Sequence, residues 1–343
     1  VKQTRAFWRG VGEVRLFQVD LREALLDGRF SASCDDIRAV APACLRHRLI
    51  LETEVLGAVL GRFSQSSAEK FVQEVYWRTY WKGWLEMRPS VWLDYRAGVL
   101  RAWDREQSET GLRRTWEQAC LGQTGIDAFD AWAQELAQTG YLHNHARMWF
   151  ASIWVFTLGL PWQLGADFFY RHLVDGDPAS NTLGWRWVSG LHTAGKTYLA
   201  RASNISHFSE NRFSPEGKLA TRAPALTEAA THATSPLPAA DALPAAKRFG
   251  LLITEEDCNP ESLPLDETPI AVLGALATHL RSPLPVGEHA AGFVEGAVKD
   301  AIGRASREFA ADGSMTNSDD WSAALLDWSS KYQFKTIVTA YAP

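Results

Sequence analysis

The sequence predicts a mainly α-helical fold that ends in a small α/β unit. Three observations predict it. Across residues 64–187 apolar and aromatic side chains recur at helical spacing. Within that region Met148 to Leu160 is the longest apolar run, too short to span a bilayer, and it reads as a buried core helix. After an Ala/Pro/Thr-rich stretch at 223–246, short apolar runs alternate with amphipathic ones, the pattern of a strand–helix unit. With 343 residues the chain has room for two or three domains. The boundaries expected are 1–222 for the helical domain, 223–247 for a linker or surface-hugging arm, and 248–343 for the α/β unit.

Taken in order, residues 1 to 30 offer a polar start, a short strand at Glu13–Val19 and a short helix, with no visible chemistry. No signal peptide is visible at the start, which is Val rather than Met. Cys34 to Val59 is helical in periodicity apart from Pro42. Ser64 to Met87 reads as a strong helix with an aromatic face, capped by Ser66 or Ser67. Pro89 breaks it, and Trp92 to Gln107 reads as loop and turn. Thr115 to Gly140 is a helix pair. After Trp187, Gly, Ser, Asn and Pro make 188–222 loop-rich. In the last segment FGLLITEED and PIAVLGALA read as buried strands, Val286 to Ala310 and Ser318 to Tyr332 as helices, and Lys335 to Ala342 as another strand.

Composition narrows the function classes. Hydrophobic residues make up 46% and charged residues 22%, as in an ordinary globular protein. The net charge of −5 argues against a general nucleic-acid binder, although a local basic patch is compatible with it. Cys34, Cys44, Cys120 and Cys258 are scattered without C-x-x-C spacing. They read as buried free thiols of a reducing compartment, the cytoplasm, and not as a disulfide framework or metal site. Fifteen tryptophans, on composition alone, mean an aromatic helical core.

The stretch with most chemical content is Tyr141 to Trp187. In its turn Asp175-Gly176-Asp177-Pro178, Asp177 is placed to cap a helix and Pro178 to occupy the first helical position. Asn181 and Trp185 are then i and i+4 on one face, an amide and an indole suited to a large aromatic cofactor. Upstream, Asn144 and Arg147 are i and i+3, and Arg147 is the expected partner of Asp175, since a buried arginine without a carboxylate is costly.

HNHARM followed by WQLGADFFYRHLVDGDPASNTLGWRW resembles the helical FAD-binding domain of the photolyase and cryptochrome family. The resemblance runs from about Ser33 to Glu216. It implies the helical FAD-binding fold of photolyase type for this part of the chain, with FAD as the cofactor. It implies that Arg78, Asn144, Arg147, Asp175, Asp177 and Asn181 hold the flavin, Asn181 facing N5, where asparagine is the photolyase-like choice. The E-x-x-W-R pattern is matched by Glu74, Trp77 and Arg78. The resemblance gives Glu74 and Trp77 to the damaged base pair, together with Asn144, Met148 and Trp187. Spacing alone reads Glu74–Arg78 as an exposed pair beside a core stripe. Trp185 and Trp162 match the first two members of the family's electron relay. The third has no counterpart near Glu106, and Trp103 is the nearest substitute.

Several positions depart from the family. Its phosphate loop becomes Ile37 to Leu45 here, where every hydroxyl is gone; backbone N–H groups and Arg38 remain for a diphosphate. The Tyr-Pro that usually follows Thr124 and Gly125 is missing. His145 stands where photolyases generally place arginine, which weakens phosphate affinity. Lys196 and Arg201 are candidates for phosphate contact or plain solvated charges. The family's α/β antenna domain does not precede the helical one here. The C-terminal unit reads as a packing appendage in preference to a relocated counterpart, which leaves an antenna chromophore without a recognisable seat. The resemblance implies light-driven repair of pyrimidine dimers in DNA by electron transfer from excited reduced flavin, a lyase activity, with damaged DNA as partner and no membrane. A blue-light sensor that keeps flavin and relay without repair, and a non-photochemical scaffold with weak flavin binding, are the competing readings.

Overall fold

The computed structural model describes residues 42–228, 230–237, 239 and 247–342. The expected strand at Glu13–Val19, Cys34 and Arg38 lie outside them. After a helical turn over residues 42–46 come α1 (Glu52–Leu60), α2 (Gln65–Glu86), α3 (Pro89–Ser108), α4 (Thr110–Leu121) and α5 (Asp127–Thr139). Then follow α6 (Asn144–Ser152), which runs into a π-helical turn at Ile153–Thr157, α7 (Trp162–His172), α8 (Pro178–Val188) and α9 (Ala202–Phe208). The last part holds β1 (Phe249–Thr254), β2 (Ala271–Ala275), α10 (Glu288–Phe309), β3 (Asp312–Thr316), α11 (Trp321–Tyr332) and β4 (Thr336–Thr339). The chain is mainly helical with one small parallel sheet, and no described helix is long and apolar enough to cross a membrane.

One difference from the sequence reading has a clear cause. Residues 92–107 are not loop but the body of α3. Pro89 ends one helix and begins the next, because it sits at the first position of α3, where its missing N–H is no loss. Arg88, with φ −137° and ψ 62°, is the break between them. The cap of α2 also shifts: Ser64 Oγ accepts from Ser67 N at 3.3 Å.

The chain divides into two compact units. The helical one comprises residues 78–237 with 282–289. Its core gathers Phe129, Phe150, Trp154, Phe168, Phe169 and Trp185, all nearly inaccessible to solvent, from α5, α6, α7, α8 and the π turn. The turn before α5 is closed by Asp130, whose carboxylate accepts from Thr124 N at 2.8 Å, Thr124 Oγ1 at 2.7 Å and Gly125 N at 2.9 Å. Gly122, at φ 64°, ends α4 in the left-handed region, and a Cβ there would stand 2.5 Å from Asp130 O. The described residues of the arm at 223–237 have no regular structure and are tied to the helical unit by hydrogen bonds. Leu226 N donates to Ser189 O at 3.0 Å, Ser235 N to Met87 O at 2.8 Å, and Thr197 Oγ1 to Ala223 O at 2.9 Å.

His172 closes α7 with Nδ1 donating to Phe168 O at 2.8 Å. Burial, with Arg171 beside it, pushes its pKa down from 6.5 to about 4. The folded imidazole therefore stays neutral where the unfolded one takes a proton. Its contribution to stability is fully present above pH 6.5 and is lost as pH falls toward 4. The melting temperature is expected to fall over that window, and His172→Gln to flatten the fall, read by circular dichroism.

The second unit holds the sheet, with strand order β3-β2-β1-β4 and every neighbouring pair parallel. Strands β1 and β2 are buried on both faces, as their unbroken apolar runs require. Apolar residues of 44–75 share its core with Leu251, Val272, Val294 and Val298. The expected strands at 249–254, 271–275 and 336–339 are present. β3, Asp-Gly-Ser-Met-Thr, is an edge strand with half-exposed residues and carries no apolar run to betray it. Beyond β1, Glu255 is buried and accepts from Thr278 Oγ1 at 2.8 Å and Arg281 Nη2 at 3.0 Å. Burial alone would raise its carboxyl, but Arg281 and then Arg46 overcome this and hold it below the usual carboxylate range.

Candidate flavin site

The site is organised by the join between α6 and α8. Arg147 forks onto Asp175, Nη1 to Oδ2 at 2.9 Å and Nη2 to Oδ1 at 3.0 Å, while its Nε donates to Leu142 O at 2.7 Å. The arginine is thus fixed by three donors, in a fork geometry that matches a carboxylate. Two residues on, Asp177 caps α8 as its sequence predicts: Oδ1 accepts from Ser180 N at 2.8 Å and Pro178 occupies the first turn. The other oxygen, Oδ2, faces Lys82 Nζ at 3.7 Å and Arg78 Nη2 at 3.9 Å, both carried by α2. With its side chain 2% exposed, Asp177 holds a negative charge in the interior beside two cations.

From this cap α8 sets Asn181 and Trp185 one turn apart. Only the NH2 end of an amide donates, so the 2.7 Å bond from Asn181 Nδ2 to Ala166 O fixes which way the amide points. The acceptor end, Oδ1, and a second N–H stay available on a half-buried side chain. Trp185 is buried against Phe169 (ring centroids 5.1 Å), Trp154 (6.1 Å) and Phe150 (6.4 Å), each edge-on. Its Nε1 is buried without a hydrogen-bond partner among the described residues. A buried indole N–H of this kind is a donor that a bound group with an acceptor could answer. Gly165 on α7 is what admits the ring, since a Cβ there would lie 2.3 Å from Trp185 Cη2. An oriented amide, an orphaned indole donor and a carboxylate-locked arginine fit the polar edge and flat face of a flavin.

The remaining expected residues fall as follows. Asn144 is exposed on the first turn of α6, Met148 is half-buried one turn later, and Trp187 is 38% exposed with its ring 5.7 Å from Tyr198. Glu74 and Trp77 are exposed on α2, on the residue 1–77 side of the division, and Arg78 follows on the other side. His145 is exposed, stacked on Trp149 at 5.9 Å and tilted against Phe208 at 5.4 Å.

Trp162 is buried at the start of α7, but it makes no ring contact with Trp185 among the described residues. The indole against Trp185 is Trp154, whose Nε1 donates to Pro161 O at 2.9 Å. On its other side Trp162 stacks on Tyr95 at 5.7 Å, and Tyr95 meets Trp92 at 5.2 Å. Trp103 pairs instead with Trp116 at 5.4 Å. Tyr95 and Trp92 escaped the sequence reading because 92–107 read as loop; on a helix they are i and i+3. Trp154 was absorbed into a core run, which gave no sign of its neighbour.

Comparison with known proteins identifies the family of this domain. The family model described as the FAD binding domain of DNA photolyase matches residues 71–244, just over half of the chain. A model of the AAA lid domain matches residues 6–60, most of which lie outside the described residues. The chain is 40% identical over 126 residues to the deoxyribodipyrimidine photo-lyase of Streptomyces griseus, covering 36% of this chain and 26% of that one. It is 30% identical over 203 residues to that of Escherichia coli, covering 58% and 40%. A class III photolyase structure from Agrobacterium tumefaciens aligns with TM-score 0.45 at 22% identity, over 57% of this chain and 42% of that one. The match thus spans about a quarter to two fifths of these curated relatives' length. By the model that covers residues 71–244, the chain belongs to the photolyase/cryptochrome family and carries its FAD-binding domain.

Proposed function

We propose that this protein uses FAD for light-driven repair of pyrimidine dimers in DNA, by electron transfer from the excited reduced flavin. The observation that carries the reading is the oriented pair on α8: Asn181, its amide set by Ala166 O, and Trp185, its indole N–H without a partner among the described residues. The relatives named above as deoxyribodipyrimidine photo-lyases support the choice of substrate class.

The bound flavin supplies the light-driven electron. The residues of this chain position and tune it. Asn181 presents Oδ1 to an N–H at the flavin edge. Arg147 and Asp175 fix the turn that delivers α8. Arg78 and Lys82, facing Asp177, form a cationic region suited to the phosphates or ribose of the cofactor. Trp185 is the nearest oxidisable ring, with Trp162 as the second relay residue. Trp187 offers a flat apolar wall to a flipped dimer, with Asn144 and Met148 as its polar and apolar neighbours.

The test is a lit assay with purified, FAD-loaded and chemically reduced protein on an oligonucleotide containing a cyclobutane dimer. Loss of dimer in blue light but not in darkness is expected. A flavin-loaded protein that leaves dimers intact in light would favour the sensor reading. His145, where an arginine would hold the strand more firmly, is the observation on that side. For the N5 assignment, Asn181→Asp is expected to change the spectrum at which photoreduction ends, and an unchanged endpoint would remove that role from Asn181.

A further inference from the structure

The arm at 223–237 brings two side chains onto α3 that have no part in the flavin site. His232 lies beside Ser90 and Asp94, which are i and i+4 on one face of α3. Glu228 lies beside His232. Donor atoms of Asp94, Glu228 and His232 all stand within 4.8 Å of one another.

The histidine carries the argument. Its side chain is 9% exposed, so it is nine-tenths buried. Ser90 Oγ lies 3.0 Å from Nδ1 and occupies that nitrogen. The other nitrogen, Nε2, is buried with no hydrogen-bond partner among the described residues, although Glu228 Oε2 is only 3.3 Å away. With Nδ1 against Ser90 Oγ, Nε2 is the nitrogen turned toward the Glu228 carboxylate, where either a shared proton or a metal ion can join the two atoms. The spacing itself is informative. Two donors each about 2.1 Å from a tetrahedral zinc ion stand about 3.4 Å apart, close to the 3.3 Å found here.

From this we infer that Asp94, Glu228 and His232 form a binding site for a divalent transition metal ion, with zinc as the fitting member. One imidazole nitrogen and two carboxylates are a borderline donor set that zinc accepts, and three protein ligands leave one position for water. The surrounding charge permits it. Arg186 forks onto Glu228, Nη1 to Oε1 and Nη2 to Oε2, both at 2.7 Å, which leaves each oxygen a second lone pair. Two carboxylates and one guanidinium leave a net negative charge for the cation. Ser90 acts from behind, holding the imidazole so that Nε2 faces inward. Asp94, its side chain 47% exposed and 3.9 Å from the imidazole at Nδ1, is the ligand that must swing to close the set. A bound ion ties the arm to α3 and, through Arg186, to the helix that carries Asn181 and Trp185.

The test is zinc titration of the full chain by calorimetry after chelator treatment, with Asp94→Asn, His232→Gln and a His143→Gln/His145→Gln double variant. One equivalent of Zn2+ is expected to bind wild type and the double variant alike. Asp94→Asn and His232→Gln should each weaken it at least about tenfold. Asp94 is half-exposed and outside every core cluster, so Asp94→Asn leaves the fold intact and decides the matter if His232→Gln does not fold. Absence of saturable binding, or binding untouched by Asp94→Asn, would overturn the inference. Loss of binding only in the double variant would place the ion on the exposed histidines of α6 and would equally overturn it.

Discussion

Asp175→Ala is expected to lower the stability of the helical unit by about 3 kcal/mol and to empty it of flavin. The carboxylate is the bidentate partner of Arg147, and its removal leaves a guanidinium in a largely buried position with only Leu142 O to answer it. Breaking a buried pair from one side costs about 3–5 kcal/mol. The lower end applies because the Arg147 side chain is 24% exposed. For a unit of this size that loss corresponds to a fall in melting temperature of roughly 6–12 °C. Replacing both partners, as Arg147→Met with Asp175→Leu, removes the stranded charge and should recover part of the loss. Calorimetry of the two single variants and the double measures this. Additive losses would show that the pair does not act as a unit.

Gly165→Ala is the second large effect, and it works through shape alone. A Cβ at 165 would meet Trp185 at 2.3 Å and 2.5 Å and Trp154 at 2.9 Å, all ring atoms of two indoles packed edge to face. Neither ring is the free end of a flexible chain, and both are buried, so the methyl is accommodated only by moving Trp185. Overpacking of this kind costs about 1–3 kcal/mol. The gain of about 1 kcal/mol from alanine's helix propensity offsets only part of it. More telling than the stability loss is its place: the displaced ring is the one proposed above to donate an electron to the flavin. Gly165→Ala should slow photoreduction at least about tenfold in protein that still folds. Photoreduction at the wild-type rate in a folded variant would mean that Trp185 is not the electron donor.

The parts of the fold visible in the sequence were those decided by neighbours in the chain. Asp177 and Pro178 announce the start of α8 because a cap and a first-turn proline act over three residues. Arg147 and Asp175, 28 residues apart, could be paired because a buried arginine has a strong energetic need for a carboxylate. The strands 249–254 and 271–275 stand out because burial on both faces demands unbroken apolar runs. What escaped was decided at a distance. Pro89 carries the same local signal whether it ends a helix or opens one, and only the packing of Val91, Tyr95 and Val99 settles that 92–107 is helical. The ring neighbours of Trp162 and Trp185, Tyr95 and Trp154, follow from packing and not from spacing. Asp94 and His232 are separated by more than a hundred residues, so no pattern in the sequence brings them together.

Purification of the full chain followed by an absorption spectrum tests the central claim most directly. The account predicts a flavin band with FAD close to equimolar with protein, and its bleaching by blue light in the presence of reductant. In Trp185→Phe that bleaching should be lost while the band remains. A colourless protein with its helical circular dichroism intact, which takes up no FAD when the cofactor is added, would contradict the account.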